Sequence, residues 1–460
     1  MNDTICAIST AQGNGAIAII RLSGNAAFKI TDKIFHPAKA NIDTINPKPN
    51  SIIFGTIKNN NEIIDEVLVS FFKSPNTYTG EDIVEISCHG SLYIQQKILQ
   101  LLIKSGARTA YPGEFTQRAF LNGKMDLSQA EAVADLIASS SEAAHKIAIN
   151  QMRGGFSNEL AKLRDNLLQF ISLIELELDF GEEDVEFADR NDLLNLIGNI
   201  ENIITKLIKS FELGNVIKNG VPVAIIGKPN VGKSTLLNAI LNEEKAIVSH
   251  IAGTTRDSIE DTFNYNGITF RFIDTAGIRE TSDTIETLGI ERTFQKISQA
   301  KIVLALFDAN DSREKINTDL KLIAEKTGDN KIIIAVINKI DTANNSIVKI
   351  DNHLIYSQIN ISAKNKDNIE TLLDKITDSL NLNQIDNNDV IVSNARHFEA
   401  LTLALDALTR AKEGINNSIS NDFLAMDIRE VIHHLAGITG EEISTDEILG
   451  NIFGQFCIGK

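Results

Sequence analysis

Gly227-Lys228-Pro229-Asn230-Val231-Gly232-Lys233-Ser234 stands directly after an apolar run at 221–226 and directly before a helical run at 235–241. A loop of the form GxxxxGK[ST] that leaves a strand and opens a helix is built for phosphate. The first turn of a helix has N–H groups without intrahelical partners and the positive end of the helix dipole, and glycines let the backbone close around an anion. In that setting Lys233 reaches the β- and γ-phosphates and Ser234 offers its hydroxyl to Mg²⁺. A chance glycine turn would lack the flanking strand and helix. The feature commits this stretch to an α/β layer, because a strand that feeds a helix returns to a parallel sheet.

Further apolar runs at 268–273, 302–307, 332–337 and 354–361 alternate with helical spacing, which predicts a mostly parallel, doubly wound sheet between about 217 and 381. Asp274-Thr275-Ala276-Gly277 follows one of these runs, with Asp274 placed for the magnesium shell and the Gly277 amide for the γ-phosphate. Asn338-Lys339-Ile340-Asp341 follows another. A carboxylate at Asp341 accepts from both N1–H and the exocyclic amine of guanine, a donor pair adenine lacks, so the nucleotide is GTP rather than ATP. Ser362-Ala363-Lys364 supplies a second contact to the base edge. Four motifs in this order resemble the Ras-fold GTPases of the translation-factor-like class.

The position after DxxG is Ile278, where Ras-like enzymes carry a water-orienting glutamine. Glu280, Asp283 and Glu286 follow, and residue types alone do not rank them. Ala252-Gly253-Thr254-Thr255-Arg256-Asp257 reads as switch I, with a threonine hydroxyl completing the magnesium shell. Arg256 is either an in-cis arginine finger or a salt-bridge partner of Asp257.

Around this block the texture differs. Residues 1 to about 120 mix β-rich runs at 16–22, 51–57, 66–72 and 82–87 with an amphipathic helix at 95–104, an α+β pattern. Ser128 with Glu131 reads as a capping box opening a helix through 137. Leu160, Leu163, Leu167, Ile171, Ile174 and Leu178, then Leu193, Ile197, Ile200, Ile204, Leu207 and Phe211, recur at helical steps, as do Leu401, Leu405, Leu408, Leu424, Ile428, Val431 and Leu435. The expected fold is multidomain. It comprises an α+β N-terminal domain (1–119), a discontinuous all-α helical domain (120–216 and 382–460), and an inserted α/β Ras-like P-loop GTPase domain (217–381).

The 460 residues carry a net charge of −17 and a pI near 5.0. That excludes a chain that holds nucleic acid or a membrane surface by broad positive charge, and leaves a local patch or a more basic partner. Cys6, Cys88 and Cys457 are far apart with no paired spacing, and the N-terminus has no basic leader. No apolar run approaches the ~18–20 residues that span a bilayer, so a cytoplasmic chain without a membrane partner is expected.

The C-terminal Phe456-Cys457-Ile458-Gly459-Lys460, after helices that enclose a GTPase block, resembles the MnmE (TrmE) family of tRNA-modification GTPases. The likeness extends through RLSG (21–24), TGED (79–82), PGEFT (112–116), RAFLNGK (118–124), DLSQAEA (126–132), GTTRD (253–257) and DTAGIRE (274–280). It implies an N-terminal domain that forms a homodimer and binds 5-formyl- or 5,10-methylene-tetrahydrofolate through Arg21, Glu85, Lys124 and Lys460. Several cations suit a ligand with a glutamate tail.

The same resemblance implies K⁺-activated hydrolysis. Asn230 supplies a side-chain ligand and Ser249, Ile251 and Thr254 supply carbonyls. Thr255 binds Mg²⁺ with Ser234, and Glu286 orients water. The nucleotide contacts it implies are Asn230, Val231, Gly232, Lys233, Ser234, Thr235, Ser249, His250, Ile251, Ala252, Gly253, Thr254, Thr255, Asp274, Thr275, Ala276, Gly277, Asn338, Lys339, Asp341, Ser362, Ala363 and Lys364. His250 stands where the family carries an acidic residue.

Cys457 matches a cysteine assigned to the tRNA chemistry, and its other reading is a small hydrophobe under the last helix. Cys88-His89 reads as core packing, and the acidic tract 175–186 as a solvated helix end. The implied partners are tRNA and an FAD-containing MnmG-type protein in a heterotetramer. The implied reaction adds an aminomethyl or carboxymethylaminomethyl group at C5 of the wobble uridine (position 34). The alternative is a regulatory Ras-like GTPase that docks in ribosome or ribonucleoprotein assembly. Weak, salt-sensitive tRNA binding by the chain alone is expected.

Overall fold

A computed structural model describes residues 3–179, 190–242, 247–248, 261–273, 299–327, 331–343, 349–350, 353–380, 390–417, 419–441, 453, 456 and 459. The chain forms two compact units, one from Met1–Ala134, Gln151–Ile197 and Asp406–Lys460, the other from Asp135–Asn150 and Gly198–Leu405.

The first unit holds a seven-stranded sheet of β1 (Ile5–Ile8), β2 (Ile17–Ser23), β3 (Phe35–Pro37), β4 (Ser51–Asn59), β5 (Glu62–Phe72), β6 (Ile83–His89) and β7 (Arg108–Thr109). Their order is β3-β4-β5-β6-β2-β1-β7. Alternation along β2, β5 and β6 sends Ile20, Leu22, Val67, Val69, Val84 and Ile86 into one core. The helix Leu92–Lys104 buries Ile98, Leu101 and Leu102 in the same core. Four strands lie where the residue pattern predicts them, and β1, β3 and β7 are too short to stand out.

The helix Leu127–Ala138 starts one residue before Ser128, and its cap is Asp126 rather than Ser128. Asp126 Oδ1 accepts from Gln129 N at 2.9 Å, and Gln129 Oε1 accepts from Asp126 N at 2.9 Å. The capping box is therefore Asp126–Gln129, and Ser128 bonds to the Asp126 carboxylate inside the first turn. The helices Gly155–Asp179 and Asn421–Thr439 pack together. Leu160, Leu163, Leu167, Ile171 and Ile174, and Leu424, Ile428, Val431 and Leu435, are buried as their spacing requires.

The second unit holds β8 (Val221–Ile226), β9 (Ile247–Val248), β10 (Asp261–Tyr265), β11 (Ile268–Phe272), β12 (Ile302–Asp308), β13 (Ile332–Asn338) and β14 (Ser357–Asn360). Their order is β14-β13-β12-β8-β11-β10-β9. β14, β13, β12, β8 and β11 run parallel, and β10 pairs antiparallel with both β11 and β9. The central strands are buried on both faces, one against Leu236, Ile240, Leu372 and Ile376 and the other against Ile316, Leu320 and Ile323. The sheet is mostly parallel as expected, and the apolar runs alone do not show the β10–β11 hairpin. Its signal is Asn266-Gly267, both at positive φ (49° and 76°) in the two-residue turn between Tyr265 and Ile268, the turn type that matches strand twist.

Candidate functional site

The phosphate loop leaves the carboxyl end of β8, the central strand, and enters the helix Lys233–Leu241 through Gly232, which caps it in the left-handed region at φ +100°. The loop is held too tightly for side chains at its glycines. A Cβ on Gly227 would lie 2.6 Å from the Leu306 carbonyl oxygen, and one on Gly232 would lie 2.3 Å from Asn338 Nδ2. Lys233 Nζ donates to the carbonyls of Gly227 at 2.8 Å and Lys228 at 2.9 Å, so the ammonium sits across the loop. Lys228 is tied to Asp319 at 2.6 Å.

The base-recognition segments leave the carboxyl ends of β13 and β14. Asn338, 2% exposed, donates from Nδ2 to the Val231 carbonyl at 2.8 Å and accepts on Oδ1 from Ala363 N at 3.0 Å. One amide thus joins the phosphate loop, the NKID segment and the SAK segment. Asp341 accepts from Ser362 Oγ at 2.6 Å, which fixes the orientation of its carboxylate. Lys339, at φ 66°, pairs with Asp308 at 2.8 Å. Burial works to raise the Asp308 carboxyl, but the hydrogen bonds from Lys339 and Asn310 outweigh it and hold it below its ordinary value.

Ser249 to Thr255, Asp274 to Gly277 and Glu286 lie outside the described residues, as do Cys457 and Lys460. Of the expected metal ligands, Ser234 and Asn230 are described. Asn230 is exposed in the left-handed region at φ 62°. A carboxamide and a hydroxyl are neutral oxygen donors of the kind hard cations take, and they fit K⁺ and Mg²⁺ with phosphate oxygens as the remaining ligands. Among the described residues, three or more His, Cys, Asp or Glu do not gather into a metal site.

In the first unit Arg21 and Glu85 are register partners on β2 and β6. Their side chains pair at 2.7 Å, and the guanidinium lies 5.7 Å from the ring centres of Tyr78 and Phe115. Lys124 Nζ donates to the Pro75 carbonyl at 2.9 Å, and its stem would lie 3.4 Å from a Cβ on Gly80. Both cations therefore border the 73–82 loop. Gly459 lies against the end of β1. Ser9 Oγ donates to the Gly459 carbonyl at 3.0 Å, and a Cβ on Gly459 would lie 2.3 Å from the Ile8 carbonyl oxygen. Phe453 packs with Phe120 and Leu127.

Several residues of the TGED, PGEFT and RAFLNGK motifs serve the fold. Arg118, 2% exposed in its side chain, pairs with Asp3 at 2.8 Å, Glu81 at 3.1 Å and Glu114 at 3.0 Å. Sequence reasoning gave this arginine no role: Glu114 is one helical turn away, but Asp3 and Glu81 come from distant segments. Cys88 is buried as expected, and burial, then the charge of Asp65, pushes its thiol up to about 11. His89 is not core: its side chain is 69% exposed and its Nδ1 lies 2.7 Å from the Asp65 carboxylate. A strand end turns consecutive residues to opposite faces, which separates the two.

Residues 127–457 match the family described as MnmE helical domain, and residues 4–124 match the GTP-binding protein TrmE N-terminus. A tRNA modification GTPase MnmE of Bacteroides fragilis is 58% identical, covering 100% of this chain and 99% of its own. Proteins of the same name from Bacteroides thetaiotaomicron and Parabacteroides distasonis are 57% and 56% identical, covering 100% and 99% of this chain and 99% and 100% of their own. Among the described residues no helix is long and apolar enough to cross a membrane.

Proposed function

The chain belongs to the MnmE family and is a GTP hydrolase of tRNA modification, and on that footing we propose that it hydrolyses GTP with K⁺ activation and modifies the wobble uridine together with an FAD-dependent MnmG-type partner. The observation that carries the nucleotide half is Asn338, which fastens the phosphate loop to both base-recognition segments. The domains divide the work as 1–119 for folate and dimerisation, 217–381 for GTP, and 120–216 with 382–460 as the helical connection.

The side chains of this unit bind and orient. Lys233 and the loop amides take the phosphates, Ser234 and Thr255 hold the magnesium, and Asp341 with Ser362 and Lys364 reads guanine. Asn230 and the carbonyls of Ser249, Ile251 and Thr254 hold K⁺, and Glu286 orients water. A bound monovalent cation supplies the positive charge that an arginine finger supplies elsewhere. In the N-terminal domain Arg21 and Glu85 hold one part of the folate, with Lys124 and Lys460 set for its glutamate. The homodimer reading is supported by Ile52, Phe54 and Leu68, neighbours across β4 and β5 that are 67%, 51% and 48% exposed. Contact with tRNA is through a local patch or through the partner, given the net charge of −17.

Two measurements test the reading. Mass spectrometry of tRNA from cells lacking the chain is expected to show unmodified wobble uridines. Calorimetry of the full chain is expected to show 5-formyl-tetrahydrofolate binding that Arg21→Ala abolishes. Normal uridines together with no folate binding would instead favour a docking GTPase of ribosome or ribonucleoprotein assembly.

A further inference from the structure

Between the two segments read as switches, residues 252–257 and 274–277, the described residues form the β10–β11 hairpin. Both strands are covalent continuations of segments whose positions follow the γ-phosphate in this class of enzyme. The hairpin tip does not end in solvent. Asn264 and Thr269 face each other across the ladder, and together they grip the entry to the helix Glu142–Met152. Asn264 Nδ2 donates to the Ser140 carbonyl at 2.7 Å. Thr269 Oγ1 donates to Asn264 Oδ1 at 2.6 Å, and its oxygen lies 3.1 Å from Ser140 Oγ.

The tip's Gly267 carbonyl accepts from Ala143 N at 3.0 Å, satisfying one of the orphan N–H groups of the helix start. Gly267 lies at φ +76°, and a Cβ there would lie 3.2 Å from Glu142 Cβ, so hairpin and helix approach closely. The hairpin is thus joined to the first turn of the helix by side-chain and backbone hydrogen bonds alike.

We propose that this hairpin–helix latch carries the nucleotide state from the switch segments into the helical segments, with Ser140, Asn264 and Thr269 as positioning residues. The proposal rests on the reading that GTP turnover serves tRNA modification. None of the three residues belongs to the phosphate loop or the base-recognition set, so their loss leaves the nucleotide site built. What they hold is the path out of it.

The test uses the full chain. Thr269→Val keeps the shape and removes the hydroxyl, Thr269→Ser restores it, and Ser140→Ala removes a less buried partner, in case Thr269→Val lowers the yield of folded protein. GTP turnover of each purified variant is compared with the modified fraction of tRNA in cells carrying that variant as the sole copy. The expected result is turnover near that of the parent chain, with modification lower by about five- to tenfold in Thr269→Val and Ser140→Ala and recovered in Thr269→Ser. Full modification in both loss variants overturns the latch, and so does a parallel fall of turnover and modification. If the parent chain itself supported no modification, the functional reading would fail and not the latch.

Discussion

Gly232 and Asn338 are matched to each other: a Cβ on Gly232 would lie 2.3 Å from Asn338 Nδ2, the atom that donates to the neighbouring Val231 carbonyl. The missing side chain at one position is what lets the amide at the other cross from the NKID segment to the phosphate loop. Asn338→Ala leaves the Val231 carbonyl and the Ala363 N–H without this partner, at about 1–3 kcal/mol for each buried group. Calorimetric unfolding of the nucleotide-free chain is expected to show the loss, and titration is expected to show GDP and GTP weakened alike. Unchanged stability with altered base preference would contradict it.

Asp341 is oriented by Ser362, and in the proposed function its carboxylate faces the base. Asp341→Asn turns an acceptor towards two guanine donors into a mixed donor and acceptor. Guanine nucleotides are expected to weaken by about a hundredfold or more, while xanthine nucleotides, with a carbonyl at C2, gain. Competition against a fluorescent nucleotide reads both changes.

The proposed potassium site predicts that activation by K⁺ disappears with the Asn230 carboxamide. Phosphate release by the full chain should fall by about tenfold or more when Na⁺ replaces K⁺, and Asn230→Ala should be equally slow in both salts. Asn230 lies at φ 62°, where alanine adds strain of about 1–2 kcal/mol and glycine adds none. Equal loss in Asn230→Gly therefore assigns the effect to the amide.

The Arg118 cluster makes the fold acid-sensitive. Burial works to raise Glu114, but the hydrogen bonds from Arg108, Tyr111 N and Arg118 outweigh it and hold its carboxyl below the ordinary value of 4.5. For Asp3 the same opposition, with Arg108 and Arg118, ends below 3.8. A depressed carboxyl contributes stability above its unfolded value and loses it as pH falls through the folded one. The thermal midpoint should hold from neutral pH to about 4.5 and drop below that. Glu114→Gln should be less stable at pH 7, by up to about 3–5 kcal/mol, with a shallower acid decline.

Thiol labelling tests the buried cysteines. Burial pushes Cys6 and Cys88 up to about 11, so neither presents thiolate at pH 8. Iodoacetamide is expected to leave Cys6 and Cys88 unmodified in the folded chain and to modify both after unfolding, read by peptide mass. Rapid modification of Cys88 in the folded chain would contradict this.

What was legible in the sequence is what local spacing encodes. The central strands of the second unit fall within a residue or two of their apolar runs, since a strand buried on both faces is a continuous apolar stretch. The capping box moved from Ser128–Glu131 to Asp126–Gln129 because both pairs fit the spacing and only packing chose between them. The β10–β11 hairpin escaped the period of its strands, although its Asn266-Gly267 turn was in plain view.

The sequence by itself determined the ligand chemistry, because phosphate is bound by consecutive backbone N–H groups at a helix start and guanine by a carboxylate at a strand end, both of which are short motifs. Only the tertiary structure decided the partnerships across the chain: Asn338 with Val231, Arg118 with Asp3, Thr269 with Ser140. Those partners lie 107, 115 and 129 residues apart. A side chain's hydrogen-bonding capacity is a property of its type, but its partner depends on which elements pack side by side, and hydrophobic period does not specify that.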